Sequence, residues 1–208
     1  MAPSDKKLPR SFYLRPTITV ARDLLGRYIH RKIGKKTLTG RIVEVEAYLG
    51  THDPASHTYR GRTKRNDVMF WEGGHLYVYF TYGMHFCANV VTEKKGIGHA
   101  VLLRAVEPVH GTETMRRFRG LQKKGLSAHH LANGPARFCQ AFAITRTKNG
   151  VDLRGNSIYL TEGIPASRGE IRTSRRIGIS RATEKPLRYF IAWNESLSRR
   201  DRSRPPAK

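Results

Sequence analysis

Residues 41–89 constrain the fold more than any other stretch of the chain. They open with RIVEVEAYLG (41–50), in which Val43, Val45 and Ala47 alternate with Glu44, Glu46 and Tyr48. Successive side chains of an extended strand point to opposite faces, so three apolar groups share one side while two carboxylates and a ring share the other. The stretch closes with HLYVYFTYGMHFCAN (75–89), where Leu76, Val78 and Phe80 alternate with Tyr77, Tyr79 and Thr81 until Gly83 breaks the run. Apolar character returns over 85–91, giving a hairpin with Tyr82, Gly83 and Met84 at its exposed tip.

Around this centre the patterning predicts a helix over 19–25 ended by Gly26, and strands over 28–33 and 38–48 joined by the turn GKKT. Further strands are expected over 98–105, 152–160, 171–179 and 187–193. A basic helix over 112–125, interrupted near Gly120, precedes a helix that begins at Pro135 and carries Phe138, Cys139, Phe142 and Ala143 on one side. Residues 50–74 have no sustained period and read as a long loop, a kind of segment that is usually functional when ordered. With 208 residues, one core and one domain are expected. The arginine-rich end, ESLSRRDRSRPPAK, has little to bury, so a domain over 8–193 and a flexible basic tail over 194–208 follow.

Charge narrows the partner. Lys and Arg number 39 against 16 Asp and Glu, a formal net charge of +23. Such an excess suits a polyanion. Nucleic acid is favoured over an acidic membrane, since no run approaches the roughly 18 apolar residues of a spanning helix. Cys87 and Cys139 lie far apart in apolar stretches and read as free thiols of an intracellular protein, and MAPSDKKLPR has no apolar segment of a secretory signal. His52, Asp53 and His57 match no metal-ligand spacing, so no metal is expected.

Individual residues leave two readings open. Glu46 is either a strand carboxylate paired with Arg41 or Arg104, or a general base whose pKa is tuned upward by sheltering rings. Arg104, inside an apolar strand, needs an anionic partner: a nearby carboxylate, or the Glu46 site or a phosphate. Tyr77, Tyr79 and Tyr82 suit either a sheet or a stacking platform for bases.

The blocks RIVEVEAYLG, ASH (55–57), MFWEGGHLYVYFTYGMHFCAN, VLLRAVEP (101–108), NGPARFCQA and KPLRYFI (185–191) occur in this order, and together they resemble the alkyladenine (3-methyladenine, methylpurine) DNA glycosylase family. The resemblance runs from about Leu8 to Trp193. It implies an α+β fold: a single mixed domain with an antiparallel-rich curved sheet, flanking helices and a protruding β-hairpin. It also implies a DNA repair enzyme that flips alkylated or deaminated purines out of duplex DNA and hydrolyses the N-glycosidic bond, without a cofactor. By the same resemblance Glu46 is the catalytic base and Arg104 helps hold the site. Tyr48, His57 and Tyr79 sandwich the purine, Asn89 approaches its minor-groove edge, Ile177 lines the pocket, and Tyr82 fills the gap left in the duplex. Tyr82 lies an odd number of positions beyond Tyr79, so a straight strand sends the two rings to opposite faces. The expected partner is double-stranded DNA containing damaged purines, the expected state a monomer, and a bacterial cytoplasm fits better than a nucleus. The alternative is a non-catalytic binder of distorted or damaged DNA, which has no need of Glu46.

Overall fold

The computed structural model describes residues 6–121 and 127–199. Helices α1 (Arg10–Tyr13) and α2 (Thr17–Leu24) come first, and α2 buries Thr17, Val20, Ala21 and Leu24 along one side. Its spacing of three, one and three is that of a helix face laid on a sheet. Gly26, at φ +85°, then turns the chain into β1 (Tyr28–Ile33), and the pair Gly34 and Lys35 links it to β2 (Lys36–Tyr48).

The rest follows as β3 (Leu76–Thr81), β4 (His85–Thr92), β5 (His99–His110), α3 (Thr112–Phe118), α4 (Pro135–Ala141), β6 (Ile158–Thr161), β7 (Ile171–Ser174) and β8 (Arg188–Ile191). The architecture is α+β, with every strand pairing antiparallel and the order β3-β4-β5-β2-β1-β6; β8 pairs with both β2 and β7. One edge of β2 is shared, since its first half pairs with β1 and Glu44 to Glu46 pair with β8. Along its other edge runs β5, with register shifts near Gly40 and around Glu44. Extra residues of this kind bend a strand and increase its twist, so the sheet curves where the two carboxylates sit.

Both faces of β2 are buried. Ile42, Val43, Val45 and Ala47 are inaccessible, and so are Glu44 and Glu46. The polar face expected from alternation is therefore roofed, by chain following β7 and by the segment after β8. That second cover corrects the expected tail: Ser196 and Leu197 are buried, so the packed chain continues past residue 194. Residues 200–208 lie outside the described residues. So do 122–125 of the basic helix expected over 112–125, which ends at Phe118 before Gly120 turns at φ +64°.

The strand expected over 98–105 runs on to His110, because Thr39 to Arg41 give its second half a partner. Those expected over 152–160 and 171–179 are shorter. Asp152 forms only an isolated bridge to His75, and after Ser174 the chain leaves β8 to send Arg176 inward. Among the described residues, no helix is long and apolar enough to cross a membrane.

Two glycines separate backbone conformation from packing. A Cβ on Gly26 would lie 2.1 Å from the Ile164 carbonyl oxygen, whereas one on Gly34, at φ +56°, would meet nothing within 4 Å. Gly34→Ala should therefore cost about 1–2 kcal/mol, the penalty of a left-handed alanine. Gly26→Ala should cost at least twice as much, because backbone must also move. Urea unfolding of both variants checks this, and equal losses would show that the contact yields freely.

Candidate active site

Between β3, β4 and residues 177–181 lies a cavity of about 420 Å³. Tyr48, His57, Tyr79, Tyr82, Asn89, Arg104 and Ile177 line it, joined by Tyr77 and Cys87. Residues from four strands, two loops and the hairpin turn thus meet at one place. Glu46 sits beneath the lining, fully buried: the Tyr48 hydroxyl donates to its Oε2 at 2.9 Å and the Ile177 amide to its Oε1 at 2.7 Å.

Arg104 fills both of the roles left open for it. Its Nε is 3.2 Å from Glu44 Oε1 and its Nη1 is 3.3 Å from Glu46 Oε1, while Arg41 pairs instead with Glu107. Burial pushes the Glu46 pKa upward; Arg104, the Ile177 amide and the Tyr48 hydroxyl pull it back, Glu44 opposes them, and it remains above the ordinary value. The Tyr48 hydroxyl is raised by burial and by Glu46, so it stays a proton donor.

The opposite wall is aromatic. The His57 and Tyr79 rings meet edge to face at 4.5 Å, and Tyr77 and Tyr79 stack at 5.6 Å. Tyr77 also backs His57, with its hydroxyl 3.0 Å from Nδ1. Loss of hydration against these rings, with the charge of Arg65, lowers the His57 pKa and favours a neutral ring; burial pushes the Tyr77 pKa up to about 12. The loop is fixed by Asn66, which donates to the carbonyls of His57 at 2.8 Å and Gly61 at 2.9 Å. Tyr77 stands two residues from Tyr79, so strand period already placed both on one face; its role behind His57 depends on the loop.

Asn89 is buried and donates to the Tyr77 carbonyl at 3.3 Å, tying the hairpin while lining the cavity. Tyr82 departs from the expected alternation. Strand β3 ends at Thr81, and Tyr82 and Gly83 take φ +50° and +67° in a tight turn closed by the Met84 amide on the Thr81 carbonyl. Tyr82 consequently returns to the rim of the cavity that Tyr79 lines, at 79% exposure.

One clamp was not legible in the sequence. Asp53 and Arg176 are both fully buried and joined by two bonds of 2.5 and 2.8 Å; Arg176 also donates to the Ala47 carbonyl and lies over the Tyr48 ring at 4.7 Å. This pair ties the loop after β2 to the one after β7, and so delivers the Ile177 amide to Glu46. Burial works to raise the Asp53 pKa, but Arg176 and the Leu49 and Ala55 amides outweigh it and hold it low. Among the described residues, no three His, Cys, Asp or Glu side chains gather as a metal site requires.

Known proteins share this chain almost end to end. The family described as methylpurine-DNA glycosylase (MPG) matches residues 11–195. A protein of Carboxydothermus hydrogenoformans named "Putative 3-methyladenine DNA glycosylase" is 47% identical over 194 residues, covering 93% of this chain and 99% of its own. Relatives with the same name from Chlorobaculum tepidum and Methanoculleus marisnigri are 44% and 47% identical, over 98% and 93% of this chain and 96% and 99% of theirs.

Replacing Asp53 by Asn leaves the Arg176 charge buried with half a partner. Breaking such a pair costs about 3–5 kcal/mol, and that loss is expected in urea unfolding at pH 7. Because the Asp53 pKa is depressed, the wild-type advantage should be present above about pH 4, the unfolded value, and fade as pH falls through the folded one. A loss below about 1 kcal/mol would mean that the clamp is dispensable.

Proposed function

The chain belongs to the methylpurine-DNA glycosylase family, and on that premise we propose that it flips alkylated or deaminated purines out of duplex DNA and hydrolyses their N-glycosidic bond, leaving an abasic site. The observation that carries this reading is the buried Glu46, held between Arg104 and the Tyr48 hydroxyl directly beneath an aromatic cavity. A purine inside a duplex cannot reach such a pocket, so it must leave the stack at a cost of a few kcal/mol. Tyr48 on one side, with His57 and Tyr79 on the other, offers faces for the flipped ring. Tyr82 is at the tip of the hairpin, where it can enter the vacated position. Its left-handed backbone costs on the order of 1–3 kcal/mol, and its ring gains little burial in return, which fits a side chain kept for a partner.

The chemistry follows from the charges. Glu46 Oε1 takes both the Ile177 amide and Arg104, whereas Oε2 accepts the Tyr48 hydroxyl and keeps a second lone-pair site, so a water beside Oε2 can be oriented and deprotonated. That water attacks the sugar carbon as the bond to the base nitrogen breaks; the electron pair goes to the leaving purine and the proton to Glu46. An alkylated purine loses its positive charge in this step and leaves readily. The carboxylate also stabilises the positive charge developing on the sugar. Asn89, facing the cavity beside Tyr77, fits a role in rejecting the 2-amino group of guanine, because a crowded or unpaired polar group there costs about 1–3 kcal/mol.

Release of free base from a duplex carrying one alkylated adenine or hypoxanthine tests the reading. Glu46→Gln should lower single-turnover release by about 100-fold or more while lesion-DNA affinity stays within a few fold. Normal release by that variant would remove Glu46 as the base, whereas binding without any release by the wild type would leave the binder reading standing. In the wild type the rate should fall with decreasing pH through the raised Glu46 pKa, so its acid limb should lie above about pH 4.3, the value of an exposed glutamate. A rate constant to below that pH contradicts the assignment.

Tyr82→Ser should weaken lesion-duplex binding and slow release, with little effect on thermal stability because the ring is exposed. Fluorescence of a reporter base opposite the lesion measures the flipped fraction. An unchanged fraction would reduce Tyr82 to a surface ring.

A further inference from the structure

The two carboxylates of β2 are held by different means. Glu46 faces the cavity floor, whereas Glu44 lies one pleat further from it with no solvent access and four donors: Arg104 Nε at 3.2 Å, Arg188 Nε at 2.6 Å, and the Ser198 amide and hydroxyl at 2.6 and 2.7 Å. Ser198 reaches this position because the preceding chain is anchored. Leu197 is buried, and Asn194 accepts the Ser196 amide at 2.9 Å while donating to Glu107 at 3.2 Å.

The Ser198 hydroxyl is used in both directions. It donates to Glu44 and accepts from Arg104 Nη2 at 3.3 Å. A guanidinium is rigid and planar, so pinning two of its nitrogens fixes the third. Here Nε is pinned by Glu44 and Nη2 by Ser198, and the nitrogen left over, Nη1, is the one that meets Glu46 and the Ile177 carbonyl. We propose that Ser198 is a positioning residue for base excision, acting with Glu44 to aim Arg104 at Glu46. The C-terminal segment thereby forms part of the catalytic apparatus, although it lies beyond every strand of the sheet. This inference rests on the reading of Glu46 as the base.

Removing the hydroxyl frees one corner of the Arg104 plane and weakens the positive charge held against Glu46. The other groups around Glu46 are Glu44 and Tyr48 on its own strand, Cys87 on β4, Arg176 in the loop after β7 and Arg188 on β8; of these only Glu44 loses a donor, and it keeps Arg104, Arg188 and the Ser198 amide. With less of Arg104 to offset burial, Glu46 should hold its proton to higher pH.

The test compares wild type, Ser198→Ala, Ser198→Thr and Glu46→Gln in single-turnover release of hypoxanthine from duplex DNA across pH, with duplex binding and melting measured alongside. Ser198→Ala should lower the plateau rate roughly tenfold, the worth of one charge-assisted hydrogen bond. It should also move the acid limb to higher pH and leave binding unchanged. Ser198→Thr, which keeps the hydroxyl, should restore both rate and limb. If Ser198→Ala matches wild type while Glu46→Gln is inactive, the proposal fails and the base assignment survives. A loss of rate that tracks a fall in melting temperature, with the acid limb unmoved, also overturns it, since that marks a purely structural contact. Activity in Glu46→Gln overturns both.

Discussion

Two carboxylates two residues apart on one strand, both without accessible surface, are the constraint around which this protein is built. Unpaired, each would be costly to ionise, and together they would repel. Arg104 lies across both, and Arg188, the Ser198 amide and hydroxyl, the Ile177 amide and the Tyr48 hydroxyl complete the coordination. The donors come from β5, from β8 and the segment after it, from the loop after β7 and from β2 itself. Paired charges in a sheet interior are weak grounds for stability. The arrangement instead fixes the position of Glu46 beneath the cavity.

That position is fixed by covering the sheet with irregular chain. Loops carry unpaired amides and carbonyls, so burying them requires substitutes for the ladder. The Asp53 carboxylate takes the Leu49 and Ala55 amides, Asn66 serves three backbone groups, and Thr58 donates to the Gly98 carbonyl. These short polar side chains turn residues 50–74, which have almost no regular structure, into a wall that fixes His57. The Asp53 and Arg176 pair then ties that wall to the roof.

The hairpin works in the opposite way. Its base is sealed into the core through Leu76, Val78, Ala88 and Val90, yet its tip presents Tyr82 and Met84 to solvent on a left-handed turn. The exposed tip is thus carried on a base that is built into the core.

Much of this was written in local pattern. Alternation placed Glu44, Glu46 and Tyr48 on one face, Gly83 marked the hairpin tip, and β1 fell on the expected residues 28–33, because period and turn chemistry act over a few residues. The residues named for the site do gather around one cavity, and ordered blocks shared with a family pointed to them. What local pattern could not supply was partnership between distant segments. Arg176 is separated from Asp53 by 123 residues and Ser198 from Glu44 by 154, and nothing in either neighbourhood marks the other. The same limit misplaced the end of the domain, where ESLS reads as polar tail until Leu197 finds the core, and it hid the return of Tyr82 to the cavity of Tyr79. The sequence alone determined which groups each strand offers to which face; only the folded chain decided which charges meet, because the free energy of a buried ion depends on every element that closes around it.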